Sequence, residues 1–274
     1  MNPQRLRQRA AITAAIRRWF DAHGYLEVHT PTLVDCPALE EHLEPVQVGH
    51  QFLHTSPEFA MKRVLAAGLC RIYQIVPCFR EEEEGDHHAR EFSMLEWYRA
   101  GAGTPEIMEE VESLIAAAAR AIGVEPPHFV RQTVDELRKS AGLPETVDEV
   151  EWFRGWITHV EPHLSRPTIV YNYPLWQAAM ATERNGHADR FEVYLSGIEI
   201  ANCFAEEGDH AVLRQRFNAS KDYRRSAKKT PHPTDEKLLS STPFMPRSAG
   251  IALGLDRLVM ALTGETDIAQ VQIR

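Results

Sequence analysis

Residues 78–99 read Cys-Phe-Arg-Glu-Glu-Glu-Glu-Gly-Asp-His-His-Ala-Arg-Glu-Phe-Ser-Met-Leu-Glu-Trp-Tyr-Arg. The pattern predicts a strand ending in Phe79-Arg80, a charged loop and a returning strand. Side chains alternate between the faces of a strand, which puts Phe92, Met94, Glu96 and Tyr98 on one face. An arginine, carboxylates, an aromatic ring and a phenol then converge on one surface of a hairpin. Such a surface can hold a nucleotide and a charged amine together. Taken alone, Arg80 reads first as half of an exposed salt bridge.

A second cluster lies downstream. Glu192 and Glu199 fall on consecutive predicted strands, 190–195 and 198–204, joined by Ser196-Gly197 as a short turn. A hairpin of this size can bring two carboxylates within reach of one magnesium ion, but the residues alone favour a solvated glutamate pair. The parity of alternation fails between Glu199 and Asn202, so a bulge or strand end is expected between them.

The elements around these clusters are legible from spacing. Leu6, Ile12, Ile16, Trp19 and Phe20 mark an amphipathic helix over 4–23, with Gly24 as its stop, a strand over 25–29 and Pro31 beyond it. Ser56 reads as an N-cap, with Pro57 opening a helix. A helix is expected over about 105–122. The region around 124–165 reads as an insertion that carries little functional information. Strands follow at 168–173, 190–195 and 198–204, then a helix over 207–229 and a Pro-rich loop over 231–246. The run Ala249-Gly250-Ile251-Ala252-Leu253-Gly254-Leu255-Asp256-Arg257-Leu258 is a glycine-containing strand entering an apolar helix. The basic stretch Arg214, Arg216, Lys221, Arg224, Arg225, Lys228 and Lys229 reads as a solvated helix face rather than a docking patch.

In this order, the helix-strand-proline at about 6–31, the Phe-Arg-x-Glu hairpin at 71–99 and the Gly-x-x-x-Gly-x-Asp-Arg run at 249–263 resemble motifs 1, 2 and 3 of the class II aminoacyl-tRNA synthetases, in their lysine-specific form. The resemblance covers nearly the whole chain, from residue 4 to 263. It implies an α+β fold over residues 1–274: a single catalytic domain with a mostly antiparallel sheet of about six strands flanked by helices, a homodimer through motif 1, and no anticodon-binding domain. It implies ATP and Mg2+ as cofactors and activation of a carboxylate as its adenylate. Arg80 would bridge the substrate carboxylate and the α-phosphate. Glu82 and His88 would lie at the adenine, stacked between Phe92 and Arg257, with Ile200 and Gly254 completing the ATP site. Glu192 and Glu199 would hold magnesium. Ser56 and Glu58 would face the amine nearest the carboxylate; Glu96, Tyr98 and Glu206 would hold a distal ammonium. Asn202 would orient the carboxylate end, Phe204 would wall the pocket, and Ala252 would form its floor. A substrate with two amino groups calls for such separate anionic sites, because each ammonium leaving water needs a partner charge.

Within that family the chain looks most like the truncated branch that joins lysine, preferably (R)-β-lysine, to a lysine side chain of elongation factor P. The helix of motif 1 begins almost at Met1, which leaves no room for an anticodon-reading barrel. The local spellings Thr55-Ser56-Pro57-Glu58 and Met94-Leu95-Glu96-Trp97-Tyr98-Arg99, with Ala252 where tRNA-charging enzymes commonly have glycine, agree with that branch. The sequence departs from the family at His88-Ala89-Arg90-Glu91, Cys203 and Glu206-Glu207-Gly208-Asp209. The alternatives are a free-standing lysyl-adenylate former that charges tRNA or a small molecule, and a non-catalytic relative kept for binding. The second would be expected to lose Arg80, Arg257, Glu192 or Glu199, and all four are present.

Composition narrows the setting. The net charge of −9 argues against a protein whose main task is gripping nucleic acid, so tRNA is not an expected partner. No apolar run reaches the length of a membrane span. The N-terminus lacks an apolar signal core, and the four cysteines form no CxxC pair, so a reducing cytoplasmic setting is expected. None of the thirteen histidines falls in an HExxH or comparable spacing.

Overall fold

The computed structural model describes residues 2–144 and 148–273. Met1 and Arg274, the ends of the expected 1–274 domain, lie outside the described residues, as do 145–147 within the expected insertion.

The chain opens with helix α1 (Pro3–Ala22), whose Ile12, Ile16, Trp19 and Phe20 are all buried. Gly24, at φ +71°, turns the chain out of it. Strand β1 is only Leu26–Glu27, shorter than the 25–29 expected, and it pairs in parallel with one neighbour. A small separate sheet follows from β2 (Leu33–Val34), β3 (Gln47–Val48) and β4 (Gln51–Leu53). Helix α2 (Glu58–Ala66) leads into the hairpin of β5 (Arg71–Phe79) and β6 (Glu91–Ala100). Then come α3 (Thr104–Ala121), β7 (Val130–Thr133), α4 (Val134–Ser140), α5 (Glu149–His159) and β8 (Thr168–Tyr173). Strands β9 (Glu183–Arg184), β10 (His187–Leu195) and β11 (Ile198–Ala205) precede α6 (His210–Ser226) and α7 (Glu236–Ser241). Strand β12 (Ser248–Gly254) and helix α8 (Leu255–Thr263) complete the fold.

The main sheet runs β1-β5-β6-β12-β11-β10-β8-β7, with β9 paired to β10. Its nine strands exceed the six expected, yet the six from β5 to β8 are joined by antiparallel pairs throughout. The additions are short strands at the edges, where β1 and β7 pair in parallel. One face of the sheet packs on α1, α3 and α8. Leu95, Trp97, Ile251 and Leu253 point into that core with Phe20, Val111 and Val259. The Phe20 ring stacks on Tyr73 at 4.1 Å and meets Trp97 edge-on at 5.5 Å. Each such side chain contributes about 1.5–3 kcal/mol on burial, enough to fix which face of every strand points inward. The alternate residues therefore have to face the other way.

Four expectations about local structure need correction. Helix α2 starts one residue late: Pro57 is its N-cap and lacks a side chain that can cap. The hydroxyl of Ser56 still accepts the Glu58 N–H, at 3.0 Å. The Pro-rich loop over 231–246 contains α7, capped by the Asp235 carboxylate, which accepts the Leu238 N–H. The basic stretch is only in part a solvated face: Arg225 and Lys228 are exposed, but two of its arginines turn inward. Arg224 is buried and bonds the carbonyls of Glu41 and Leu43 and the Glu44 carboxylate, and Arg216 bonds the carbonyls of Ala179 and Ala181. Finally, the 124–165 region is no inert insertion, since α5 lines the principal cavity. Among the described residues no helix is long and apolar enough to cross a membrane.

Candidate active site

The open face of the sheet floors a cavity of about 770 Å3. Its organisation follows from strand register. Glu96 on β6 pairs with Ala252 on β12, Ala252 with Asn202 on β11, and Asn202 with Glu192 on β10. These four residues form one rung across the sheet, about 14 Å long at the usual strand spacing. The next rung carries Tyr98, Gly250, Phe204 and Arg190. The expected irregularity between Glu199 and Asn202 is present: Val193 pairs with Ala201, but Tyr194 pairs with Glu199. The extra residue, Ile200, resets the parity, so that Glu199 and Asn202 both line the cavity.

At one end of the rung stands a carboxylate cage. Glu96 is buried; its Oε1 accepts the Ser56 hydroxyl at 2.6 Å and its Oε2 accepts the Tyr98 hydroxyl at 3.1 Å. Burial, reinforced by the Glu58 charge, pushes the Glu96 carboxyl up to about 8. Glu58 and Glu206 do not stand open, because the ammonium of Lys62 lies 2.6 Å from a carboxylate oxygen of each. Lys62 is 1% exposed. Burial disfavours its charged form, but Glu206 and Glu58 outweigh that cost and hold its pKa above the ordinary value. Gly250 makes the cage possible. A Cβ at this position would fall 2.2 Å from Tyr98 Cε1 and 2.6 Å from Glu206 Oε1.

Farther along the cavity lies a cationic and aromatic cradle. The Arg80 guanidinium sits 5.0 Å over the Phe92 ring. Its Nη1 donates to Glu83 at 3.0 Å and its Nη2 to Glu40 at 3.4 Å. Arg257 on α8 donates to the carbonyls of His87 and Glu199, at 3.1 and 3.0 Å. Those bonds tie the motif 2 loop to β11. His88 lines the cavity, and burial together with the Arg257 charge lowers its pKa. Gly254, the N-cap of α8, borders the same space.

The neighbouring strands β10 and β11 carry the acidic pair. Glu192 accepts the hydroxyls of Tyr173 and Tyr194, at 2.6 and 2.7 Å, and forms an ion pair with Arg190. Burial and the neighbouring Glu192 raise the pKa of Glu199. Several polar atoms of the cavity residues, among them Arg80 Nε, Gln177 Nε2, Arg190 Nε and Asn202 Oδ1, are buried without a hydrogen-bond partner. An unpaired buried polar atom costs about 1–3 kcal/mol, so these atoms mark positions suited to polar groups of a ligand.

Of the residues singled out from sequence, Glu82 alone is not brought to the cavity; it is exposed. Strand β5 ends at Phe79 and the chain turns immediately, which breaks the two-residue alternation and points Glu83 inward instead. The departures from the family pattern sort by position. Cys203 lies in the core on the opposite face from Asn202. Ala89 is buried, and Arg90 is exposed and pairs with Glu81. Sequence reasoning missed Lys62, Glu83, Arg190 and Gly250, and the wall of α5, where Trp152 and Trp156 stack at 4.9 Å. Signals existed: Lys62 lies one helical turn after Glu58, Arg190 two strand residues before Glu192, and the tryptophans four apart.

This combination of an antiparallel sheet floor, a motif 2 hairpin and an arginine at the start of the last helix defines a class of protein. The family described as "tRNA synthetases class II (D, K and N)" matches residues 2–273, and the chain belongs to it. Within that class it is similar to proteins named elongation factor P–(R)-β-lysine ligase. It is 39% identical to the one from Edwardsiella ictaluri, over 95% of this chain and 91% of that protein. It is 37% identical to those from Enterobacter sp. strain 638 and from Yersinia enterocolitica, in each case over 97% of this chain and 93% of the relative.

Proposed function

We propose that the protein is an ATP-dependent ligase that activates lysine or (R)-β-lysine as its adenylate and transfers it to a lysine side chain of elongation factor P. The observation that carries this reading is the single cavity that holds both a carboxylate cage for amines and an arginine–aromatic cradle for a nucleotide. The names of the similar proteins support the acceptor and the β-amino acid. An extended diamino acid fits along the rung with its distal ammonium at Glu96 and its carboxylate toward Asn202 and Arg80. A carboxylate oxygen then bonds the α-phosphorus and pyrophosphate leaves. The acceptor amine next attacks the acyl carbon and AMP leaves. Arg80 gathers the two anions of the first step, where charge is densest. Phe92 offers a face for the adenine, and Arg257 a second cation.

Magnesium fits the acidic pair in part. A hard cation takes one or two carboxylates and completes its shell with phosphate oxygens and water. The raised pKa of Glu199 marks a site where positive charge is wanted. Glu192 is less free, because Arg190 and two tyrosines already occupy its oxygens. When bound, the ion would neutralise the ATP phosphates. A homodimer through α1 and a cytoplasmic setting belong to the same reading.

The test is lysine-dependent exchange of pyrophosphate into ATP. Arg80→Lys keeps the charge but loses the planar fork that joins two anions. Exchange is expected to fall by about 100-fold or more with the melting temperature little changed. Undiminished exchange would remove Arg80 from its assigned role.

A further inference from the structure

Neither the amine cage nor the nucleotide cradle uses two donors that lie together in the cavity wall. The Arg190 guanidinium is held between the rings of Tyr173 and Phe204, 4.4 and 5.2 Å from their centres. Its Nη1 donates to the carbonyl of Gln177 at 3.0 Å and its Nη2 pairs with Glu192, which leaves the Nε–H buried without a partner. Gln177 is 7% exposed, and its side-chain Nε2 is likewise unpartnered. It ends a single 3-10 turn, Leu175–Gln177, and just beyond it Ala179 sits at φ +45°, a region that alanine rarely adopts, with its carbonyl fixed by Arg216. Strain of this kind persists only where the surroundings enforce it, and it gathers at binding sites. The same wall opens outward. Phe153 and Ile157 on α5, with Leu175 and Trp176 on the turn, are between 38% and 58% exposed and yet line the cavity. Phe153 meets Trp176 edge-on at 5.9 Å, and both rings abut Trp152. Glu149 opens α5 and Glu161 follows it, and both line the cavity with Glu41, near enough to Glu149 to feel its charge.

We propose that this wall is a docking subsite for the protein acceptor: apolar side chains beside the target lysine rest on Phe153 and Trp176, and backbone carbonyls of the same loop accept from Gln177 Nε2 and Arg190 Nε. This rests on the reading of the protein as a ligase that acts on elongation factor P. Three features select a peptide as the occupant. A backbone segment presents carbonyl acceptors at close spacing, which suits two neighbouring fixed donors. Half-exposed aromatic rings are the common anchors of protein interfaces. Carboxylates around the rim attract a lysine-bearing loop and repel phosphate, so a polynucleotide is the poorer occupant. The position agrees with the chemistry. Arg190 braces Glu192, which pairs across the sheet with Asn202, where the substrate carboxylate is placed. A lysine carries its amine on a flexible four-carbon stem, so the acceptor backbone stays at the wall while the amine reaches the acyl carbon.

The experiment measures lysyl transfer to purified elongation factor P at varied concentrations of the factor, ATP and lysine, with a thermal melt of each variant. Gln177→Leu keeps the bulk of the side chain and removes the unpartnered donor. KM for the factor is expected to rise about tenfold against little change in KM for ATP, and the empty protein to melt no lower than before, because a buried unpaired group is gone. A merely structural glutamine would show the reverse, a lower melt with KM for the factor in place. The double variant Phe153→Ala, Trp176→Ala strips the rim, where both rings are half-exposed, and is expected to raise KM for the factor by about 30-fold. Arg190 is left unaltered because it also braces Glu192. If KM for the factor holds in both variants, or if KM for ATP or lysine rises in its place, the proposal is overturned. If bulk tRNA is charged and the double variant weakens that charging instead, the rim stacks bases, and the proposal is again overturned. Lack of any transfer to the factor by the unaltered protein would contradict the ligase reading and take this subsite with it, whereas transfer that ignores the substitutions removes the subsite alone.

Discussion

Gly250→Ala adds one methyl group to the rung that carries Tyr98 and Phe204, and its effect can be worked from the geometry. The new Cβ would lie 2.2 and 2.3 Å from Tyr98 Cε1 and Cδ1, and 2.6 Å from Glu206 Oε1. Ordinary van der Waals contact begins near 3.4 Å, so the ring has to move by about an ångström. It has little room, because Tyr98 is only 3% exposed. Overpacking of this kind costs about 1–3 kcal/mol, and melting is expected to fall by about 2–4 °C for each of those. The displaced ring also carries its hydroxyl away from Glu96, where it now donates at 3.1 Å. A hydrogen bond to a charged group is worth about 1.5–3 kcal/mol, so KM for lysine is expected to rise about 10- to 100-fold. Gly254→Ala is the control. Its Cβ would meet only the Arg257 side chain, no nearer than 3.6 Å, so stability is expected to hold while KM for ATP rises. Steady-state exchange kinetics and a thermal melt of each variant decide the matter. A Gly250→Ala protein with unaltered melting and unaltered KM for lysine would refute the reasoning.

Two further outcomes follow from the cage and its floor. Because burial holds the Glu96 carboxyl up to about 8, an incoming ammonium has to displace its proton at lower pH. Affinity for lysine, read by calorimetry, is expected to rise about tenfold per unit from pH 6 to 8 and then level off. The same raised pKa means that folding takes up a proton, so the empty protein should melt higher at pH 6 than at pH 8.5; a flat profile in both would contradict the assignment. Ala252 pairs with both Glu96 and Asn202, directly beneath the amine. Ala252→Gly is expected to move preference toward α-lysine by about 1–3 kcal/mol, checked as the ratio of kcat/KM for the two isomers, and an unchanged ratio would discount the floor.

How much of this was legible in the sequence depended on whether a signal was local. Two-residue alternation put Phe92, Met94, Glu96 and Tyr98 on one face because β6 is regular along its length. The failure of parity between Glu199 and Asn202 gave away the bulge at Ile200 for the same reason. Glu82 was misplaced because alternation carries no information once the chain enters a turn. Lys62 went unread because nothing local says that Glu206, 144 residues on, shares its ammonium. Gly250 also needed the register, since a glycine in a strand announces no neighbour until Tyr98 and Glu206 are known to meet over it. The stretch 124–165 resembled a spacer because its aromatic face becomes a cavity wall only when β8 and β10 bring α5 to the site.

The most direct test of the account is the intact mass of purified elongation factor P after incubation with this protein, ATP, magnesium and (R)-β-lysine, with α-lysine and bulk tRNA in parallel reactions. The account predicts a single lysyl addition to the factor and uncharged tRNA. An unmodified factor beside charged tRNA or accumulating adenylate would contradict it, because the cavity would then activate the amino acid for a different acceptor.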